Sequence, residues 1–394
     1  MSAVYFDIRD ISRAARMGWA PRRILTAAVG LLLAHMLWML CAYAAVAVDG
    51  HISLLAVWNE LGFFPWAVAQ IVDGGGTFLF VTGVVLAWLV MMGTFSAVAK
   101  QAVRELKGDV GLGGEATMNF VGRHGTTAAT AVMVLTSGIV LMLFAGLLLG
   151  MTGRVAVVGE LLVGLLSLPT ILCGVAAFGL IAVIFIEVTI GPAVVATLED
   201  DWLEVTVQAA AVLWGQPFRW LAYELWLAVI SGATVLAATV VLLFGSLASL
   251  AVVGRLIPLK IAGMMVIASE YVPGLEKLFW AFNTGRGPVE VASGIPIAAA
   301  GGVFAVSLLV LMVVVAAYGI STWGAGQTLI YVALRYQRDG NNLLDRTDMF
   351  DRKEMIDSLK PRSVAGEDSG PSVDADTGVT LLTIEPPLNK QEGA

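Results

Sequence analysis

Glu224 is the one carboxylate set well inside an apolar stretch of this sequence, about one helical turn past Trp220. An acid at membrane depth serves either ion coupling or a buried hydrogen-bonded pair. So close to the boundary the cost of burial is reduced. The expected role is therefore structural, a hydrogen bond or a salt bridge to Arg219 or to another chain. Glu187, at the end of the preceding apolar stretch, carries the same expectation. His35 and Gln327 are the other polar side chains that could line a cavity with Glu224. Together the three would suit a small or lipidic substrate.

Other chemistries lack their parts. Glu199, Asp200, Asp201 and Glu204 form a dense acidic group, but acids at a helix start are already favoured by its positive end. No further oxygen ligands can be named, so no metal site is assigned. Gly74, Gly75 and Gly76 have no Lys after them, unlike a phosphate loop. HExxH, GxSxG and CxxCH are all missing from the sequence, so zinc hydrolysis, serine hydrolysis and covalent haem attachment have no basis. Cys41 and Cys173 both lie in apolar runs and read as small buried thiols. No catalytic residues are assigned, and an enzyme is the least favoured class. A pigment, quinone or lipid held by apolar contacts alone would leave no signature, so the cofactor stays unknown.

The elements that position these residues follow from composition. The 394 residues are 58% hydrophobic and only 13% charged, with a mean hydropathy of +0.85. Soluble domains carry about 25% charge. The chain is read as an all-α, polytopic membrane protein with about six transmembrane helices, since each crossing needs about 20 apolar residues. The spans are expected near 24–48, 77–99, 127–150, 161–186, 220–245 and 297–331. Five basic residues precede the first span and four lie in 100–123, whereas 49–76 has none. Such asymmetry places both termini in the cytoplasm, in a bacterial inner membrane. The body is close to neutral, which argues against a nucleic-acid partner.

Five segments result: 1–23, 24–186, 187–219, 220–338 and 339–394. In the first, Phe6, Ile8, Ile11, Ala15 and Trp19 alternate with arginines, predicting an amphipathic helix at the membrane surface. In 187–219, Pro192 is expected to break the preceding helix, with a surface-parallel helix following over 198–214. The connection 246–296 is expected to hold re-entrant or interfacial helices, as is 63–72. A seventh span near 256–273 is disfavoured by Pro258, Lys260, Glu270 and Pro273. The acidic tail 339–394 is expected to be solvated and largely disordered, with Val379–Ile384 as a short apolar patch able to bind a partner as an added strand.

The stretch 191–225, with its Pro after a span and its Gln216-Pro217-Phe218-Arg219-Trp220 approach to the next, resembles a class of uncharacterised bacterial multi-pass proteins. Those are similar to the membrane domain attached to some glycerophosphodiester phosphodiesterases. Residues 330–336, followed by Asp339-Gly340, resemble the same class. The resemblance implies location and architecture, and no phosphodiesterase activity, because no soluble catalytic barrel accompanies it. The functional expectation is a non-catalytic membrane subunit that anchors or organises a complex with other subunits or copies of itself, in contact with membrane lipids. The alternative is a transporter or permease component.

Overall fold

The computed structural model describes residues 5–51, 53–65, 73–108, 114–272, 294–340 and 342–345. Its long elements are all helices. In chain order they are α1 (Ile8–Ile11), α2 (Ala14–Gly18), α3 (Pro21–Asp49), α4 (Leu54–Leu61), α5 (Gly74–Lys107), α6 (Gly114–His124), α7 (Thr127–Thr152), α8 (Val158–Leu165), α9 (Ser167–Leu198), α10 (Trp202–Gly215), α11 (Pro217–Leu256), α12 (Pro258–Tyr271) and α13 (Ile295–Asp339). A single 3₁₀ turn, Leu343–Asp345, follows. Six are long and apolar enough to cross a membrane: α3, α5, α7 with its lead-in α6, α9, α11 and α13. The protein is a multi-pass helical membrane protein with an all-α fold.

The helices are joined mostly at one end. There, hereafter the basal end, lie the start of α3, the end of α5, the start of α7, the end of α9, the start of α11 and the end of α13. All but the start of α3 share one core containing Ala99, Ala128, Ile186, Ile190, Leu227 and Ile330, all at most 1% exposed, while Ala27 of α3 packs with Val98 and Ala317 in a smaller cluster. Small residues permit the close approach. A Cβ on Gly30 of α3 would fall inside the side chain of Thr94 on α5, so these two helices meet nearly backbone to backbone. Towards the other, distal end the surfaces are apolar and open. Leu141, Leu148, Ile171, Val175, Leu236 and Phe244 are all exposed, as expected where lipid tails replace water.

Four boundaries differ from the sequence reading. Pro192 lies inside α9 and the helix runs on to Leu198. A proline there removes one helical hydrogen bond, but Ile190 through Leu198 are all buried, and that packing outweighs the local loss. The span expected to start at 161 instead starts at Ser167, after the separate helix α8. Helix α11 continues eleven residues beyond the expected end, because Gly245 to Gly254 carry no charged side chain and Arg255 falls in its last turn. Lastly, the N-terminal segment forms two short helices instead of one. Ile11, Ala14 and Met17 are buried in the main core, so the segment lies along α11 and α13 as a strap.

Within 246–296 the described part supplies α12, an apolar helix of 14 residues. Its rise of about 21 Å is too short for a full crossing. The rest of that connection (273–293), the stretch 66–72, and 346–394 with Val379–Ile384 lie outside the described residues.

Candidate functional site

Two of the polar side chains singled out in the sequence meet at the basal end. Glu224, one turn after Trp220 on α11, accepts from Trp220 Nε1 at 3.1 Å through Oε1. Its Oε2 accepts from Gln327 Nε2 of α13 at 2.8 Å. Local packing explains the reach. A Cβ on Gly326 would overlap the side chain of Leu227, so only glycine lets α11 and α13 approach closely enough for the neighbouring Gln327 to touch Glu224. Both residues are buried.

Beside this pair lies a cavity of about 20 Å³, lined by Phe95, Ala99, Val188, Thr189, Pro192 and Gln327 among others. That is room for about one water molecule. Its wall is mostly apolar, with a few polar points. Pro192 has no N–H, so the Val188 carbonyl one turn earlier has no helical partner, and Gln327 Oε1 is buried without a hydrogen bond. Nothing larger than water fits in this cavity, which reaches the pair through Gln327.

The remaining candidates go elsewhere. Arg219 is exposed and makes no salt bridge with Glu224. Five residues along a helix is a rotation of about 140° from the nearest face, so the two point apart. His35 is half-buried on α3, with its ring 5.7 Å from Trp38 and 5.4 Å from Phe64. It does not join the Glu224–Gln327 pair. Glu187 is 0% exposed and faces Thr206 of α10, although neither carboxylate oxygen completes a hydrogen bond of ordinary geometry. The two carboxylates are held by different neighbours, on different sides of α9.

The structure also holds ionic contacts that the sequence reading missed. Lys100 Nζ lies 2.6 Å from Glu199 Oε1, with both side chains at most 5% exposed. Glu199 is the left-handed residue that ends α9, with φ of 55°, and its acid therefore belongs to the end of one helix and not to the start of the next. Arg23 of α3 is buried and pairs with Glu105 of α5 at 2.5 Å. Arg338 donates to Gln208 of α10 at 2.8 Å, while Arg335 and Arg338 both pair with Asp339. In sequence these bases looked only like charges flanking spans. Asp339 lies within one helical turn of Arg335 and Arg338, but Glu199, Glu105 and Gln208 are far along the chain from Lys100, Arg23 and Arg338, and no spacing rule connects them.

The strap is fixed by its own polar contacts. Buried Asp10 accepts from the backbone N–H groups of Tyr5 and Phe6 at 2.7 Å each and pairs with Arg13 at 3.2 Å. Phe6 stacks on Tyr336 at 3.9 Å, and its carbonyl accepts from Gln337 at 2.6 Å. Ser321 donates to the Gly18 carbonyl at 2.8 Å. The strap thus bonds to α13 at both of its ends.

Among the described residues, no group of three or more His, Cys, Asp or Glu is arranged to hold a metal ion. Comparisons with protein-family models, curated proteins and solved structures give no match for this chain.

Proposed function

We propose that the protein is a non-catalytic integral membrane subunit that anchors or organises a membrane complex. One observation carries this reading. The polar pair Glu224–Gln327 is closed on itself in a solid basal core, next to a cavity of about 20 Å³, whereas the distal halves of α7, α9 and α11 offer broad apolar faces to their surroundings. A conduit needs polar ligands gathered around an opening at mid-membrane, and His35 stands apart from the pair.

For orientation we propose that the basal end is cytoplasmic. Arg9, Arg13, Arg16, Arg22, Arg23, Lys100, Arg104, Lys107, Arg123, Arg335 and Arg338 all belong to that end, while Arg154, Arg255 and Lys260 belong to the other. Retained positive charge is the usual mark of the cytoplasmic face, which would be that of a bacterial inner membrane. There α10 presents Leu203, Val207 and Trp214 outward, a stripe at helical spacing suited to a partner or the bilayer surface.

The test is purification of the full chain from its native membrane in mild detergent, followed by intact mass and identification of co-migrating chains. A fixed stoichiometry with other subunits, or a defined homo-oligomer broken by Trp214→Glu, is the expected result. A monomer without partners would overturn the reading and move a transport role to first place.

A further inference from the structure

The strap that seals the basal part of the α11–α13 seam ends at Trp19, and immediately beyond it the seam is unfilled. A cavity of about 700 Å³ opens there, with walls from α3 (Ile24, Leu25, Ala28) and α11 (Thr234, Ala238, Val241) and a floor from α13 (Val315, Tyr318). Its size falls in the range of about 300–1,000 Å³ typical of concave ligand sites. Over its length α11 rises about 12 Å from Thr234 to Leu242, close to the depth of one leaflet, about half of a 30 Å hydrocarbon core. Thr234 is the lone polar side chain in the α11 wall, and its hydroxyl is already donated to the Ser231 carbonyl at 3.0 Å. A polar solute would lose its hydration here without replacement.

Charge enters only at the basal mouth. Trp19, which closes that end, is 64% exposed and stands edge-on to Tyr318 at 5.1 Å, the disposition of an aromatic at the headgroup level. Arg16 is exposed one turn before Trp19. Arg22 is exposed one turn before the wall residue Leu25 on the same face of α3. Next in sequence, Arg23 instead turns inward to Glu105. Arg16 and Arg22 are therefore each one turn from a residue, Trp19 or Leu25, that lines the basal end of an apolar cleft about one leaflet deep.

We infer that this cleft binds an anionic phospholipid, with one acyl chain between α3, α11 and α13 and the phosphate at Arg16 and Arg22. The strap and the lipid then fill successive parts of one seam, which joins the N-terminal segment to the bilayer at Trp19. A neighbouring cavity of about 600 Å³ between α11, α12 and α13 shares Leu242 as a wall but lacks the paired arginines.

The experiment is native mass spectrometry of the full chain from mixed micelles containing equal phosphatidylglycerol and phosphatidylcholine. One phosphatidylglycerol should be retained per chain. Filling the cleft with Ala238→Trp, or from the opposite wall with Ala28→Leu, should remove it while the monodisperse elution profile is kept. Arg16→Gln and Arg22→Gln should each lower the preference for the anionic lipid about fivefold, and Ser246→Leu in the neighbouring cavity should leave it unchanged. Retention that ignores both cleft-filling variants, or equal retention of the two lipids by the unsubstituted chain, would overturn the assignment. So would a two-chain mass that Ala238→Trp splits, because a second copy would then occupy the cleft.

Discussion

A carboxylate held between an indole N–H and an amide N–H can be a fixed joint between two helices or a site that gains and loses a proton, and substitutions at Glu224 distinguish these roles. Leucine at Glu224 strands Trp220 Nε1 and Gln327 Nε2, now bonded at 3.1 and 2.8 Å. Unpaired buried donors cost about 1–3 kcal/mol each, with the low end expected here because a membrane chain finds other partners when it opens. Glu224→Leu should therefore lower the Tm in detergent clearly, and adding Gln327→Leu should restore part of the loss. Glu224→Gln should be nearly neutral, since Gln327 can turn its amide and offer an oxygen to the new side chain. A neutral Glu224→Gln that still abolished a proton-coupled flux would show a transport role instead. At this scale the sequence revealed which residues were unusual, since an acid and a glutamine stood out in apolar runs. It did not reveal that they meet, because that depends on Gly326 admitting Leu227 across two helices, a contact with no local signature. The expectation of a Glu224–Arg219 bridge failed on helical rotation alone.

Elements were legible wherever composition decided them and were misjudged wherever tertiary packing did. Six apolar runs gave six long helices, because in lipid a backbone can satisfy its polar groups only within itself. Pro192 was misread as a break since propensity is a local prior, and burial on all sides of Ile190–Leu198 overrides it. The N-terminal segment was misread for the converse reason. Its amphipathic spacing says that one face is buried, but not whether lipid or protein buries it. The strap's attachment is testable at Asp10. Asp10→Ala removes the acceptor for two backbone N–H groups and the partner of Arg13. Loss of that anchor should cost about 1–3 kcal/mol locally, raising hydrogen exchange over 5–18 by about fivefold to a hundredfold (about 1.4 kcal/mol per factor of ten) with little change in α5 or α9. Exchange that rises equally throughout would mean that the strap is part of the global folding unit. Unchanged exchange would mean that Ile11, Ala14 and Met17 hold it unaided.

At the scale of the molecule, polarity along the bundle axis is the dominant feature. Most of the buried ionic contacts, the Glu224–Gln327 pair and the strap gather at the basal end, whereas the distal half is mainly apolar helix surface, with Asp49 held by His51 and the Asp73 N–H. The ion pairs set the rigidity of that end. Lys100 and Glu199 are both buried at 2.6 Å, and breaking such a pair from one side leaves a charge without compensation, typically about 3–5 kcal/mol. Lys100→Met should therefore unfold the basal end at a much lower temperature than Glu224→Leu does. The same polarity fixes how the protein lies in its membrane, if the bases are retained on the cytoplasmic side. Val157 is 67% exposed in the connection before α8, and Phe218 is 86% exposed at the start of α11, so the two report on opposite ends of the bundle. Neither native cysteine sits in these connections, which allows Val157→Cys and Phe218→Cys to be studied with Cys41 and Cys173 replaced by serine or alanine. A membrane-impermeant maleimide added to spheroplasts should label Val157→Cys and spare Phe218→Cys until the membrane is permeabilised. The reverse pattern would invert the orientation and turn the basal end outward. Labelling of both in intact spheroplasts would contradict the separation of these positions by a bilayer, and with it the crossing of the membrane by α7 and α11.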